Sequence, residues 1–476
     1  MKNRILSLLL ALAMCFTLFT PQVASAAETS QTASLNEAKV DTWAIPDLVI
    51  GDTYGIYPLT WYEQGVTGAI KLGQFKVLLA GLRNKIIDTK SATEARIVKP
   101  SIDSKITVEE AITALYTTIS NYDYTADLGL GYELGPVKYM ELIGVYTGRG
   151  GEQKLQERCS VEQALVMASR LTTIIYDALD ASSKGFLWEA KNGENTVYML
   201  GSIHAASNEI YPFSNSLWQA YNASETLILE ADIYNEEELQ EMTILAFYDD
   251  GTTLKDHVSA ECYQKVVETA ALFGIPEETT TAIRPWYLNS IFENYALVGN
   301  VDADKIVADL GIDVTLITQA YLYSKPVAEI EGLAAQAKML AGFSDGLQEL
   351  MLMENVEAVS NMMNKTEDSS VLSQNDQVDK MLEYWHDGDV EAFTKYCYED
   401  DLLEYEDDAK YKAYVDEYTD KLLTKRNVVM ADYINTLLKE KGSHTSFVVV
   451  GAAHFTSNAN ILDLLKAKGY EITQIK

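Results

Sequence analysis

One arrangement occurs twice in this chain and limits what it can fold into more than any other. Thr196-Val197-Tyr198-Met199-Leu200 runs into Gly201-Ser202-Ile203-His204, and Ser446-Phe447-Val448-Val449-Val450 runs into Gly451-Ala452-Ala453-His454. Each is a short apolar run suited to a buried strand, then a glycine that lets the backbone turn tightly, then a histidine just past the strand end. Two further apolar runs end in carboxylates: Thr226 to Leu229 reaches Glu230, and Pro326 to Ile330 reaches Glu331. Strand patterns of this kind alternate with helical ones from Phe186 to a last strand at Tyr470 to Ile475, which predicts an α/β (α+β) domain over residues 186–476.

If those four strands are parallel neighbours, two imidazoles and two carboxylates meet at the rim where α/β sheets bind ligands. Imidazole and carboxylate together are the ligand set of a divalent metal with an open water position. Without a metal, a glutamate and a histidine can still move protons. A single histidine after a strand is more often a packing or surface residue, and it is the repetition that singles out His204 and His454. His257, His386 and His444 lack that setting and are expected to be surface or packing residues.

The other bulk features narrow the setting. Lys2 and Arg4 precede an apolar run from Ile5 to Phe19 and an Ala24-Ser25-Ala26 sequence, the pattern of a secretory signal peptide over residues 1–26. The expected location is therefore secreted, extracellular or cell-wall associated, with no membrane span in the mature form. With 70 acidic and 37 basic side chains the net charge is −33, which repels nucleic acid. The densest acidic stretches, Glu399-Asp400-Asp401 and Glu404 to Asp408, read as solvated helix faces. Beyond residue 26 only Cys159, Cys262 and Cys397 remain, too widely spaced for a disulfide framework or a paired-cysteine zinc site. They are expected to be buried thiols, with one bridge between two of them left open.

Residues 27–181 carry helical patterns, among them Val108 to Ile119 and Val161 to Leu179, and predict an all-α domain. A weak internal repeat runs through them, with Trp43 to Pro46, the stretch at Gly55 and a helix after Gly68 echoed by Pro136 to Met140, Gly144 to Gly148 and Cys159 to Gln163. Three tetrapeptides, Lys71-Leu72-Gly73-Gln74, Thr107-Val108-Glu109-Glu110 and Ser160-Val161-Glu162-Gln163, lie along it. This portion resembles a degenerate pair of S-layer homology modules, which attach bacterial proteins to cell-wall polysaccharide through a Thr-Arg-Ala-Glu signature. The arginine is absent from all three tetrapeptides, so a wall anchor and a plain helical packing domain stand side by side.

The C-terminal region carries the firmer resemblance. Trp188 to Phe213, including Tyr198 to His204 and Pro212, looks like the opening motif of the TraB/GumN/TIKI family, and Val448 to Tyr470, with Gly451-Ala452-Ala453-His454 and Gly469-Tyr470, looks like its closing one. Between them Glu230, Gly311-Ile312-Asp313, Ile330-Glu331 with Gln336, Trp385 with Gly388-Asp389, and Arg426-Asn427 match family blocks in order. The resemblance implies a central mixed β-sheet flanked by helices, related to erythromycin esterase and ChaN-like proteins. It also implies a metal-dependent hydrolase acting on peptides, with manganese, cobalt or zinc as the divalent ion. His204, His454 and Glu230 would be its metal ligands, and Glu230, Glu331 and Arg426 its catalytic groups. Gln336 and Asp313 stand behind these. The alternative is a protein that binds or sequesters a peptide, pheromone or haem without turnover. The chain departs from the family pattern at Ser202 and at Thr456-Ser457-Asn458, in the loop after the second histidine.

Overall fold

The structure, a computed structural model, describes residues 40–102, 105–131, 133–148, 152–298, 306–364, 374–398 and 409–476. The signal-peptide pattern over residues 1–26 and the acidic stretches from Glu399 to Asp408 lie outside those residues. The described chain divides into two compact units, one of residues 40–183 with 208–215, the other of residues 184–207 with 216–476.

In the first unit, helices α1 (Ile45–Gly51), α2 (Leu72–Asp88), α3 (Val108–Ile119), α4 (Gly135–Leu142) and α5 (Val161–Ala178) carry the core. A two-stranded antiparallel ribbon, β1 (Ala92–Glu94) with β2 (Tyr122–Tyr124), is added to the expected helices. The three repeated tetrapeptides are helix starts. Thr107 Oγ1 accepts the Glu110 N–H at 3.2 Å while Glu110 Oε2 accepts the Thr107 N–H at 2.8 Å. Ser160 and Gln163 exchange the same pair of bonds at 3.2 and 2.9 Å. These are capping boxes, which satisfy two otherwise orphaned backbone donors. At Lys71 only half a box forms, with Gln74 Oε1 accepting the Lys71 N–H at 3.2 Å, because an ammonium has no acceptor to return. The weak repeat is thus a recurring way to begin a helix.

The second unit is built on a six-stranded sheet of β3 (Phe186–Asn192), β4 (Asn195–Ser202), β5 (Thr226–Leu229), β6 (Val327–Glu329), β7 (Thr445–Gly451) and β8 (Ile472–Ile475), in the order β6-β5-β7-β4-β3-β8. Strands β6, β5, β7 and β4 are parallel to one another, and β3 runs antiparallel to both β4 and β8. The sheet is therefore mixed. Phe447 to Val450 are wholly buried at its centre, which is why β7 reads as an unbroken apolar run rather than an alternating one. The β3–β4 hairpin pairs Asn192 with Asn195, so its two-residue turn is Gly193-Glu194. Gly193 takes φ +62° there, a left-handed conformation that glycine adopts without strain.

Long helical insertions leave the sheet after β5 and after β6. Helices α6 (Pro285–Val298), α7 (Ile312–Leu322), α8 (Leu333–Ala341), α9 (Asp345–Asn364) and α10 (Gln374–Asp387) precede α11 (Lys425–Leu438), which leads back to β7. Trp286, Leu288 and Phe292 of α6 share one apolar core with Leu352 and Val356 of α9. Among the described residues no helix is long and apolar enough to cross a membrane. Cys159, Cys262 and Cys397 are all buried thiols.

Candidate functional site

The two Gly-x-x-His turns lie side by side. Strands β4 and β7 are paired in parallel with Gly201 opposite Val450 and Ser202 opposite Gly451, so both histidines leave the sheet at the same rim, one residue out of register. The Ala452 N–H donates to the Ser202 carbonyl at 2.8 Å and ties one turn to the other. The crossing is close: a Cβ on Gly201 would stand 3.1 Å from Ala452 Cα, tighter than an ordinary contact. The Gly201 carbonyl accepts the Trp385 indole N–H at 2.7 Å, which gives that tryptophan a place in the site's framework.

Helix α7 begins against the first turn. The Ile312 N–H donates to the Ile203 carbonyl at 3.1 Å, and a Cβ on Gly311 would fall 2.3 Å from the His204 carbonyl oxygen, so only glycine allows so close an approach. That approach sets Asp313 Oδ2 at 2.5 Å from His204 Nδ1. After the second turn the chain closes into a single helical turn, α12 (Ala453–Thr456), and His454 Nδ1 lies 2.7 Å from Asn427 Oδ1.

The carboxylates arrive from β5 and β6. Glu230, the first residue beyond β5, accepts the Gly451 N–H on Oε1 at 2.6 Å and the Arg426 Nη2–H on Oε2 at 2.5 Å. Its Oε1 is 3.6 Å from His454 Nε2. Glu331 accepts Arg426 from Nε at 3.0 Å and from Nη2 at 2.8 Å. Gln336, in the first turn of α8, donates from Nε2 to Glu230 at 3.1 Å and to Glu331 at 3.2 Å. Arg426 opens α11 directly after a wide π-turn over Asp420–Thr424, and its Nη1 donates to the Leu422 carbonyl at 3.2 Å. Such turns recur at functional sites. His454 is 1 % exposed, and Glu230, Arg426, His204 and Asp313 are between 6 % and 8 % exposed, so these charges face one another rather than water.

Burial alone would raise the Glu230 pKa. Arg426, then the two histidines, more than reverse that, and hold the carboxyl below the usual range at about 2. Burial, reinforced by the Arg426 charge, pushes His454 down to about 3, so its imidazole is neutral at any ordinary pH. A neutral imidazole and an ionised carboxylate are what a divalent ion takes as ligands. Both Nδ1 atoms are committed to Asp313 and Asn427, as in most metal-ligating histidines. The donor chemistry therefore fits such an ion. The spacing does not yet close round one: among the described residues no three His, Cys, Asp or Glu groups stand close enough to share a metal, and both glutamates have oxygens turned on Arg426.

All five predicted residues, His204, Glu230, Glu331, Arg426 and His454, meet at this rim, with Asp313 and Gln336 beside them. Arg426 is engaged by two carboxylates and a carbonyl, so its charge is spent inside the site. His257 stacks on Tyr248 with ring centroids 4.9 Å apart, and His386 and His444 hydrogen-bond to Asp387 and Glu225. The side-chain role of Asn427 was not foreseen. Its adjacency to Arg426 was the available signal, since consecutive helical residues point about 100° apart and can serve two different partners.

Residues 186–474 match the family model described as the TraB/PrgY/gumN family. Metalloprotease TIKI homolog of Nematostella vectensis is 22% identical over 351 residues, covering 66% of this chain and 73% of its own. Metalloprotease TIKI1 of Danio rerio is 23% identical over 311 residues, 60% of this chain and 62% of its own. The uncharacterized protein YbaP of Escherichia coli (strain K12) is 26% identical over 155 residues, 32% of this chain and 54% of its own. The chain thus spans between about half and three-quarters of the length of these relatives. No solved structure matches significantly.

Proposed function

Since the chain belongs to the TraB/PrgY/gumN family over residues 186–474, we propose that its C-terminal unit is a metal-dependent peptide hydrolase working at the rim of β4, β5, β6 and β7. The observation that carries this reading is the meeting of a neutral, buried imidazole at His454 with an ionised, buried carboxylate at Glu230, 3.6 Å apart, beside His204. The relatives named as metalloproteases supply the reaction class. The signal-peptide pattern supplies the location, secreted or associated with the cell wall, and the helical N-terminal unit is the candidate for contact with wall polysaccharide.

A divalent ion such as manganese, cobalt or zinc, where bound, would be held by His204, His454 and Glu230 and would supply the acidification of water that hydrolysis near neutral pH needs. The rest is done by the chain itself. Asp313 and Asn427 fix the two rings. Gly451 and Gln336 orient Glu230, the proton acceptor of this scheme. Arg426, clamped by Glu331, keeps Glu230 ionised despite its burial, so it meets a cation or a proton as an anion.

Digestion of a peptide library with added manganese, cobalt or zinc, read by mass spectrometry, tests this. Wild type should give defined cleavages, and Glu230→Gln should slow them by about 100-fold or more. Equal cleavage by wild type, Glu230→Gln and His204→Ala would remove the proposal. A second reading, a module that sequesters a peptide, pheromone or haem without turnover, is favoured by the lack of a three-donor metal cluster among the described residues. It predicts a retained ligand and no product in the same assay.

A further inference from the structure

The two imidazoles are held by chemically different partners, and the difference reaches back into the loop where this chain departs from the family pattern. Asn427 is wholly buried, as is His454 but for 1 % of its surface. The Asn427 Nδ2 group lies 3.2 Å from the Ala459 carbonyl oxygen and 3.4 Å from Ser457 Oγ. A carbonyl oxygen only accepts, so the donor end of the amide must face it. The acceptor end, Oδ1, is then the atom 2.7 Å from His454 Nδ1, and that nitrogen must carry the hydrogen. In a ring with one N–H at Nδ1, Nε2 holds the lone pair, and it is this atom that lies 3.6 Å from Glu230 Oε1. Glu230 Oε1 already accepts from Gly451, so acceptors face each other across the gap.

We infer that Asn427 is a positioning residue: oriented by Ala459 and Ser457, its amide locks His454 in the Nδ1–H tautomer and turns the Nε2 lone pair toward Glu230. The lock is set by the loop after α12. Ala459 adopts φ +53°, a left-handed conformation that alanine seldom takes, and in doing so brings its carbonyl to the amide. Ser457 is 6 % exposed, and its backbone N–H is held by the Ala453 carbonyl at 3.0 Å, so the second acceptor is fixed as well. At His204 the partner is the carboxylate of Asp313, an acceptor in either orientation. Ser457, within the Thr456-Ser457-Asn458 departure, is thus part of the device that sets the second imidazole.

The inference rests on the proposed reading only in placing His454 at a working site, and its test does not depend on hydrolysis. Protein labelled with nitrogen-15 in its histidine rings should show His454, identified by the signal missing in His454→Gln, with the hydrogen on Nδ1 and a non-protonated Nε2. In Asn427→Leu the Nε2–H form should become the major one, free to donate to Glu230, while the circular-dichroism spectrum stays that of the wild type. If cleavage is found, kcat should fall 10- to 100-fold in that variant with KM unchanged, the size expected for loss of a partner behind a working histidine. A wild-type His454 protonated at Nε2, or an unaltered tautomer in Asn427→Leu, would overturn the inference. The wild-type spectrum decides alone if the variant does not fold. Absent cleavage with the expected tautomers would count against the hydrolase reading and leave this one standing.

Discussion

Past Gly201 the chain leaves β4 in an open bend and meets the start of α7, whereas past Gly451 it coils at once into α12. The same four-residue device thus ends in two settings. His204 receives the carboxylate of Asp313 from a helix that approaches through Gly311, and His454 receives the amide of Asn427, held in turn by its own following loop. The lesson is that the repeated motif fixes where an imidazole stands, while the group behind Nδ1 fixes what that imidazole is. Beside the second turn Glu230 is bound to the backbone of Gly451 and charged against Arg426.

Arg426 is where the comparison breaks most severely. Arg426→Leu strands Glu230 and Glu331 as buried carboxylates without a cation, and the C-terminal unit should lose about 3–5 kcal/mol in urea unfolding. A loss below about 1 kcal/mol would mean that the two carboxylates do not depend on this one guanidinium.

A pH series tests the second imidazole. His454 has its pKa lowered from 6.5 to about 3 in the fold, so the unfolded chain takes up a proton that the folded one refuses. Stability from this group is fully present above pH 6.5 and is lost as pH falls toward 3, by at most about 1.4 kcal/mol per pH unit. Glu230, also held low, adds a loss that begins only below its ordinary value of 4.5. His454→Gln should therefore lose less stability than the wild type as pH falls from 6.5 to 3, and keep the part of the fall below pH 4.5 that belongs to Glu230. An unchanged curve would show that His454 titrates normally.

Gly311→Ala tests the first turn alone. Its Cβ meets a backbone oxygen rather than a flexible side chain, so the cost should be about 1–3 kcal/mol. The nitrogen-15 signals of His204 should shift with it, while those of His454 stay in place.

Much of this was legible beforehand, for reasons that differ residue by residue. The central strand β7 announces itself because a strand buried on both faces is apolar almost throughout, and glycine followed by histidine marks where β4 and β7 stop. Glu230 and Glu331 follow by the same rule, and Arg426 by its place in an ordered family pattern. Asp313 and Asn427 could not be matched to their histidines, because they stand 109 and 27 residues away and no local period links residues across such a gap. The capping boxes in the helical unit were readable as spacing. The half-box at Lys71 shows why the repeat is faint: a lysine keeps the helix start and loses the side-chain acceptor.

The central claim is that two separate turns serve one site. Equilibrium dialysis against manganese, followed by elemental analysis of wild type, His204→Ala, His454→Ala and the double variant, tests it most directly. The account predicts that wild type retains the ion and that each single variant loses it as completely as the double, since two ligands of one ion cannot be removed twice. A wild type that retains none, or single variants that each keep it and lose it only together, would contradict the claim.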